Sequence, residues 1–196
     1  MSAVFILADF AGDKASKTTT ELATAAARIG AVTAVVLAGS GKGAALAATV
    51  NQGPISEIIV IESDDFATFG VAASADALAN LIKEKSPSAV LIASHAFGKE
   101  VAGRVSVLCE SGIITDAIDI ASDGSATQSV FGGSTTVHSK VSHGVSIITV
   151  RPNSIDADFT SCAPAITSAT ATISGDAKKA TISSTQPPVK GGRPEL

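Results

Sequence analysis

Tryptophan and tyrosine are missing from these 196 residues, methionine occurs once and cysteine twice. Cys109 and Cys162 stand far apart, and neither has a second Cys or His nearby. That excludes a CxxC redox pair and any familiar metal spacing, so both read as small, partly buried apolar residues. Charge is scarce as well: Asp, Glu, Lys and Arg make up 16% of the chain, and the net charge is -4. No Lys/Arg cluster exists to converge on a phosphate backbone, which argues against nucleic acid as a partner. No apolar run reaches the ~18 residues a bilayer span needs, so membrane insertion is not expected. The first basic residue is Lys14, behind the apolar start, so no secretory leader is expected and the cytoplasm is the expected compartment.

Hydrophobic residues, in contrast, are 45% of the chain, enough for a sizeable core. With so few charges, more of the surface must be apolar or small. That favours a partner surface, although alanine richness alone gives the same figure.

The apolar runs are short and regularly spaced. Ala3 to Ala8, Val32 to Leu37, Glu57 to Ile61 and Ala89 to Ala93 read as strands buried on both faces. Between and after them, Thr18 to Ile29, Gly43 to Val50, Ala73 to Lys85 and Lys99 to Cys109 carry helical spacing. Thr18, Thr19 or Thr20 can cap the first helix, with Glu21 near its positive end. Strands alternating with helices predict a parallel α/β sheet with right-handed crossovers. After Gly112 the chain turns extended: Ile113 to Ile120, Thr127 to Phe131, Thr135 to Val141 and Val145 to Val150, with turns at Asp123-Gly124, Gly132-Gly133 and His143-Gly144. This predicts a mainly antiparallel β section in the same domain. Thr167 to Ile173 and Ala180 to Ser183 are candidate edge strands. The domain is expected over residues 1–184. Residues 185–196, polar and rich in Pro and Gly, read as a linker toward a further domain.

Several residue groups could carry chemistry. Gly39-Ser40-Gly41-Lys42-Gly43 follows a strand and opens a helix, where backbone N–H groups could hold a nucleotide phosphate. It matches neither GxGxxG nor the full GxxxxGK[ST] loop, so an ordinary turn is the plainer reading. Ser94-His95 lies at the carboxyl end of a strand, where α/β sheets bind ligands. Adjacent residues do not easily form a nucleophile–base hydrogen bond, and no nucleophile elbow is present. His138 and His143 lack two further zinc ligands nearby. Arg104, Asp116 and Arg151 are charges set among apolar segments, which normally pair because burying one alone is costly. Asp116 is expected to bond one of the two arginines and tie the β section to the core, with partner docking and ligand contact as alternatives.

Motifs along the whole chain resemble the electron transfer flavoprotein alpha subunit. The stretch Val90 to Asp116 carries Gly98-Lys99-Glu100, then Arg104, then Gly112 and Thr115-Asp116. Phe131-Gly132-Gly133 resembles the family's aromatic-Gly-Gly element, and Thr149-Val150-Arg151-Pro152 its Thr-Val-Arg-Pro strand end. Thr19-Thr20-Glu21-Leu22 fits the start of its first helix, and Arg193-Pro194-Glu195-Leu196 the entry to its second domain. Ala8-Asp9-Phe10 departs from the common Ala-Glu after the first strand.

The resemblance implies an N-terminal α/β domain of the adenine-nucleotide hydrolase type, in a heterodimer with a beta subunit. FAD would sit mostly in a second, C-terminal domain, so no cofactor-binding, catalytic or metal residue is expected here. The heterodimer would carry electrons from flavin dehydrogenases toward a quinone reductase. Arg104, Asp116, Gly132, Gly133 and Arg151 are the candidates for structural or partner-docking roles. The alternative is a free-standing AMP- or ATP-binding module using the Gly39–Gly43 turn. A small hydrolase around Ser94 and His95 is the third reading, with no activated nucleophile visible.

Overall fold

A computed structural model describes residues 3–186. Strand β1 (Ala3–Leu7) leads into a two-strand ribbon of β2 (Phe10–Ala11) and β3 (Lys14–Ala15), then helix α1 (Lys17–Ala27). Next come β4 (Ala31–Ala38), α2 (Gly43–Thr49), β5 (Ile55–Glu62), α3 (Asp65–Phe69), α4 (Val71–Lys85), β6 (Ala89–Ala93) and α5 (Ala96–Leu108). The second half runs β7 (Ile113–Ile120), β8 (Ala126–Val130), a one-turn 3₁₀ segment (Phe131–Gly133), β9 (Thr135–Ser139), β10 (Ser146–Val150) and β11 (Ala165–Ala169).

Nine strands form one sheet in the order β11-β5-β4-β1-β6-β10-β7-β8-β9. Pairing is parallel from β11 across to β7 and antiparallel for β7–β8 and β8–β9. The expected α/β class with an antiparallel part is therefore present. Its internal order differs in one respect: β10 returns to the parallel sheet and lies between β6 and β7. The residues Ile147, Ile148 and Val150 are almost wholly buried, which a strand covered on both faces requires.

Alternation along β1 explains the layering. Val4 and Ile6 face a core shared with Leu22, Ala25 and Ala26 of α1 and Ala47 of α2. Phe5 and Leu7 face the other core, with Leu78 and Ile82 of α4 and Val101 and Val105 of α5. Small residues let the helices lie close. A Cβ on Gly43 would come within 2.3 Å of Val60, and one on Gly98 within 2.0 Å of the Ala93 carbonyl.

Other expectations shift locally. None of the threonines caps α1. The N-cap is Ser16, whose hydroxyl bonds Asp9 instead of the helix backbone. The edge strand starts at Ala165 and ends at Ala169. Ala180 to Ser183 is not a strand: this stretch crosses α3, and the Ile182 amide donates to the Thr68 carbonyl. The run from residue 187 onward, most of the expected linker, lies outside the described residues. Among the described residues no helix is long and apolar enough to cross a membrane.

Candidate partner-docking site

Three carboxylate-centred clusters occupy the crest formed by the carboxyl ends of the parallel strands, the usual ligand position of such sheets. The first is built on Asp116. At this residue β7 breaks register with β10, between the Ile148 and Val150 pairings. Asp116 adopts φ 61°, a left-handed conformation that Asp tolerates better than most residues. Its amide donates to the Thr149 hydroxyl at 2.8 Å, and that hydroxyl donates to Ser94 Oγ at 3.1 Å. Ser94 in turn donates to Asp116 Oδ1 at 2.9 Å. Arg151, just past β10, donates from Nε (3.1 Å) and NH2 (2.6 Å) to Asp116 Oδ2. Lys99 on α5 lies 3.8 Å from the other oxygen.

One carboxylate thus joins β6, α5, β7 and β10. The Arg151 guanidinium, and secondarily the Ser94 hydroxyl, hold the Asp116 carboxyl below the usual range against partial desolvation. Asp116 in return raises Arg151. The partner of Asp116 is Arg151. Arg104 does not take part: it sits half-exposed on α5 and pairs with Glu100 one turn back.

Arg151 also donates to the Ser129 carbonyl at 3.3 Å, so the same cluster grips the base of the arm β8–β9. Gln128 reinforces this grip by donating to the Thr115 carbonyl at 2.6 Å. At the tip, Phe131, Gly132 and Gly133 take φ values of 51°, 64° and 91°. The two glycines allow this turn without a side-chain penalty. His138 faces Thr127 across the arm at 3.1 Å.

The second cluster surrounds Asp9, at the end of β1. Thr19 accepts from its amide and donates to its carbonyl, and Ser16 donates to its carboxylate at 2.6 Å. His95 Nε2 lies 2.9 Å from Asp9 Oδ1, while His95 Nδ1 accepts from the Gly98 amide and caps α5. An accepting Nδ1 leaves the proton on Nε2, where it points at Asp9. Ser94 and His95 therefore belong to different clusters and form no nucleophile–base pair.

The third cluster closes the Gly39–Gly43 turn. Glu62 accepts from the Gly41 amide (3.2 Å) and the Gly43 amide (2.6 Å), and Asp64 from the Ser40 amide (3.0 Å). The N–H groups that a phosphate would need are occupied by carboxylates, whose charge would also repel it. The free-standing nucleotide module is not supported, and these residues do not fit the diphosphate of a flavin dinucleotide.

The sequence left Asp9, Glu62 and Asp64 unassigned. A carboxylate directly after a buried strand was their only local signal, since their partners are distant in sequence. Glu21 of α1, read from the sequence only as a charge near the helix's positive end, is buried. It accepts from the Asn153 amide at 2.9 Å, with Lys17 2.9 Å away.

The domain thus joins a nine-stranded sheet, whose crest carboxylates are held by its own groups beside a cleft of about 400 Å³ lined by Leu7, Asp9, Phe66, His95 and Phe97, to an antiparallel arm at one edge. The family model for the electron transfer flavoprotein domain matches residues 4–187. The chain belongs to that family, and its similarity is to the alpha subunit's N-terminal domain. The electron transfer flavoprotein subunit alpha of Mycobacterium tuberculosis is 34% identical over 158 residues, covering 81% of this chain and 50% of that protein. The subunit alpha of Mycobacterium leprae is 32% identical over 157 residues, covering 80% and 49%. That of Syntrophomonas wolfei is 28% identical over 200 residues, covering 100% and 62%. The chain spans about half the length of the mycobacterial relatives it matches.

Proposed function

We propose that this domain is the structural, partner-docking part of a heterodimeric electron carrier and has no catalytic site of its own. Its partner is an electron transfer flavoprotein beta subunit. The FAD of the heterodimer is held mainly by an additional domain toward which residues 185–196 lead, and electrons pass from flavin dehydrogenases to a quinone reductase. The compartment is the cytoplasm.

The observation that carries this reading is the self-bonded set of carboxylates along the crest. In a chain matched from residue 4 to 187 by the family model, the carboxylates at the strand ends and the amides of the Gly39–Gly43 turn are bonded by the chain's own groups. Asp116 and Arg151 act as the clasp, Gly132 and Gly133 shape the arm, and Arg104 is a surface charge on α5.

Sedimentation of the chain mixed with its beta subunit tests the reading. A complex at tens of micromolar is expected, and separate sedimentation of the two would overturn it. A visible absorbance scan of the purified chain checks the cofactor half. A colourless chain is expected, and bound FAD would relocate the flavin site.

A further inference from the structure

Asp76 on α4 is a buried carboxylate without a counter-ion. It is 7% exposed, and among the described residues no Lys, Arg or His pairs with it. Its Oδ2 accepts from the Ser174 amide, which fastens residues 174–177 against α4. One bond from a neutral amide does not offset the cost of burying a charge, and a neutral Asn would accept the same bond. Oδ1 has no partner among the described residues, yet it is not sealed from water: among those residues only Glu21 Oε1 is both sealed and unpartnered.

A cavity of about 350 Å³ lies beside it, between α4, α5 and residues 174–177. That is the size of a small-molecule site. Ala72, Val107, Leu108 and Ala177 give it apolar walls, and Val107 and Leu108 stay exposed there although both are large and apolar. Of the charged groups that line it, Arg104 is paired with Glu100 and Asp176 with Lys179, so the charge of Asp76 alone is unbalanced. Gly103 completes the lining. It lies inside α5, where glycine is a poor helix former. Its φ is not positive, and a Cβ there would meet nothing within 4 Å. Neither the backbone nor the packing calls for a glycine; its effect is to leave the cavity open.

We propose that this cavity is a binding site for a small amphipathic organic cation, with an ammonium group paired to Asp76 Oδ1 and an apolar or aromatic body lying along Gly103, Val107 and Leu108. Such a ligand gives the carboxylate the counter-charge that its own chain withholds. An anion would meet Asp76 as a like charge, and a neutral ligand would leave it unbalanced. The site shares no residue with the crest clusters or the arm.

Indole fluorescence tests the site, because the chain has no Trp or Tyr to emit in the same range. The 196-residue chain is titrated with tryptamine, with its neutral analogue tryptophol and with indole-3-acetate. Tryptamine is expected to give a saturable blue shift, tryptophol to bind about tenfold more weakly and indole-3-acetate more weakly still. Asp76→Asn should bring tryptamine and tryptophol to the same affinity. Gly103→Leu, whose side chain would fill the cavity, should abolish binding of both, while thermal melts show no loss of stability. No saturable binding of tryptamine would overturn the proposal, as would equal affinity for tryptamine and tryptophol in the unaltered chain or a preference that persists in Asp76→Asn. Tryptamine binding that survives Gly103→Leu would put the ligand elsewhere and overturn it too. Loss of tryptamine binding on adding a beta subunit would make a partner side chain the occupant and overturn the ligand site.

Discussion

The centre of the sheet and its β7–β9 edge are built on opposite terms. Strands β1, β4, β6 and β10 are buried on both faces, and their stability comes from apolar area removed from water. The arm has almost no such area: β9 is mostly exposed, and polar contacts fix its position. One region is rigid because it is packed. The other is rigid because it is tied down, which leaves its apolar tip free.

The sharpest way to break this contrast is to remove packing. Leu91→Ala, at a fully buried site in β6, should lower unfolding free energy by about 3 kcal/mol in urea titrations. A loss below about 1 kcal/mol would mean that the centre is not packed as described. A change to the clasp acts differently. Asp116→Asn keeps a residue that tolerates the left-handed backbone and removes only the charge. After discounting for solvent screening of this partly exposed pair, it should cost about 1 kcal/mol. Hydrogen exchange should rise in residues 126–139 and stay unchanged in β1 and β6. Uniform exchange across both regions would show that the arm is not held by the clasp.

Acid acts on the same contact. The folded Asp116 carboxyl titrates below its unfolded value of about 3.9, so its stabilisation is full above that pH. It is lost as pH falls through the lower folded value. Arm exchange measured from pH 5 downward should rise only below about pH 4. Gly132→Ala, at φ 64° with open space around it, should cost about 1 kcal/mol from backbone strain alone. Phe131→Ala should change stability by less than about 0.5 kcal/mol, since its ring is exposed. The smallest effect concerns Asp123 in the turn before β8. Its carboxyl accepts from the Ser125 hydroxyl and amide and from Lys140, which lowers it to about 2, and NMR titration should find that midpoint.

The two regions also differ in how far their sequences announce them. Continuous apolar runs such as Val-Phe-Ile-Leu and Ala-Val-Leu-Ile-Ala identify buried strands without knowledge of their neighbours. Ser146 to Val150 is an equally apolar run. Its place between β6 and β7 is hidden because periodicity identifies a strand and not its partner, and the chain reaches it through short turns that suggest hairpins. Pairing of Asp116 with one of two arginines was readable from the cost of isolated charge. The choice of Arg151 over Arg104 depends on β10 lying beside β7. Asp9 and His95 meet only because β1 pairs with β6. The short helix α3 had no apolar stripe to reveal it.

The position of β10 also sets the order of assembly. β6 and β7 are consecutive strands, joined by α5, yet they never pair, because residues 146–150 lie between them. A nascent chain emerging from its N-terminus can complete β1, β4, β5 and β6 as a growing sheet, but β7 has no place on it until thirty residues later in the chain have arrived. Until then the arm strands can pair only with each other. Closure of the sheet is therefore a non-local event that follows local hairpin formation, and loop-closure entropy makes it the slower of the two.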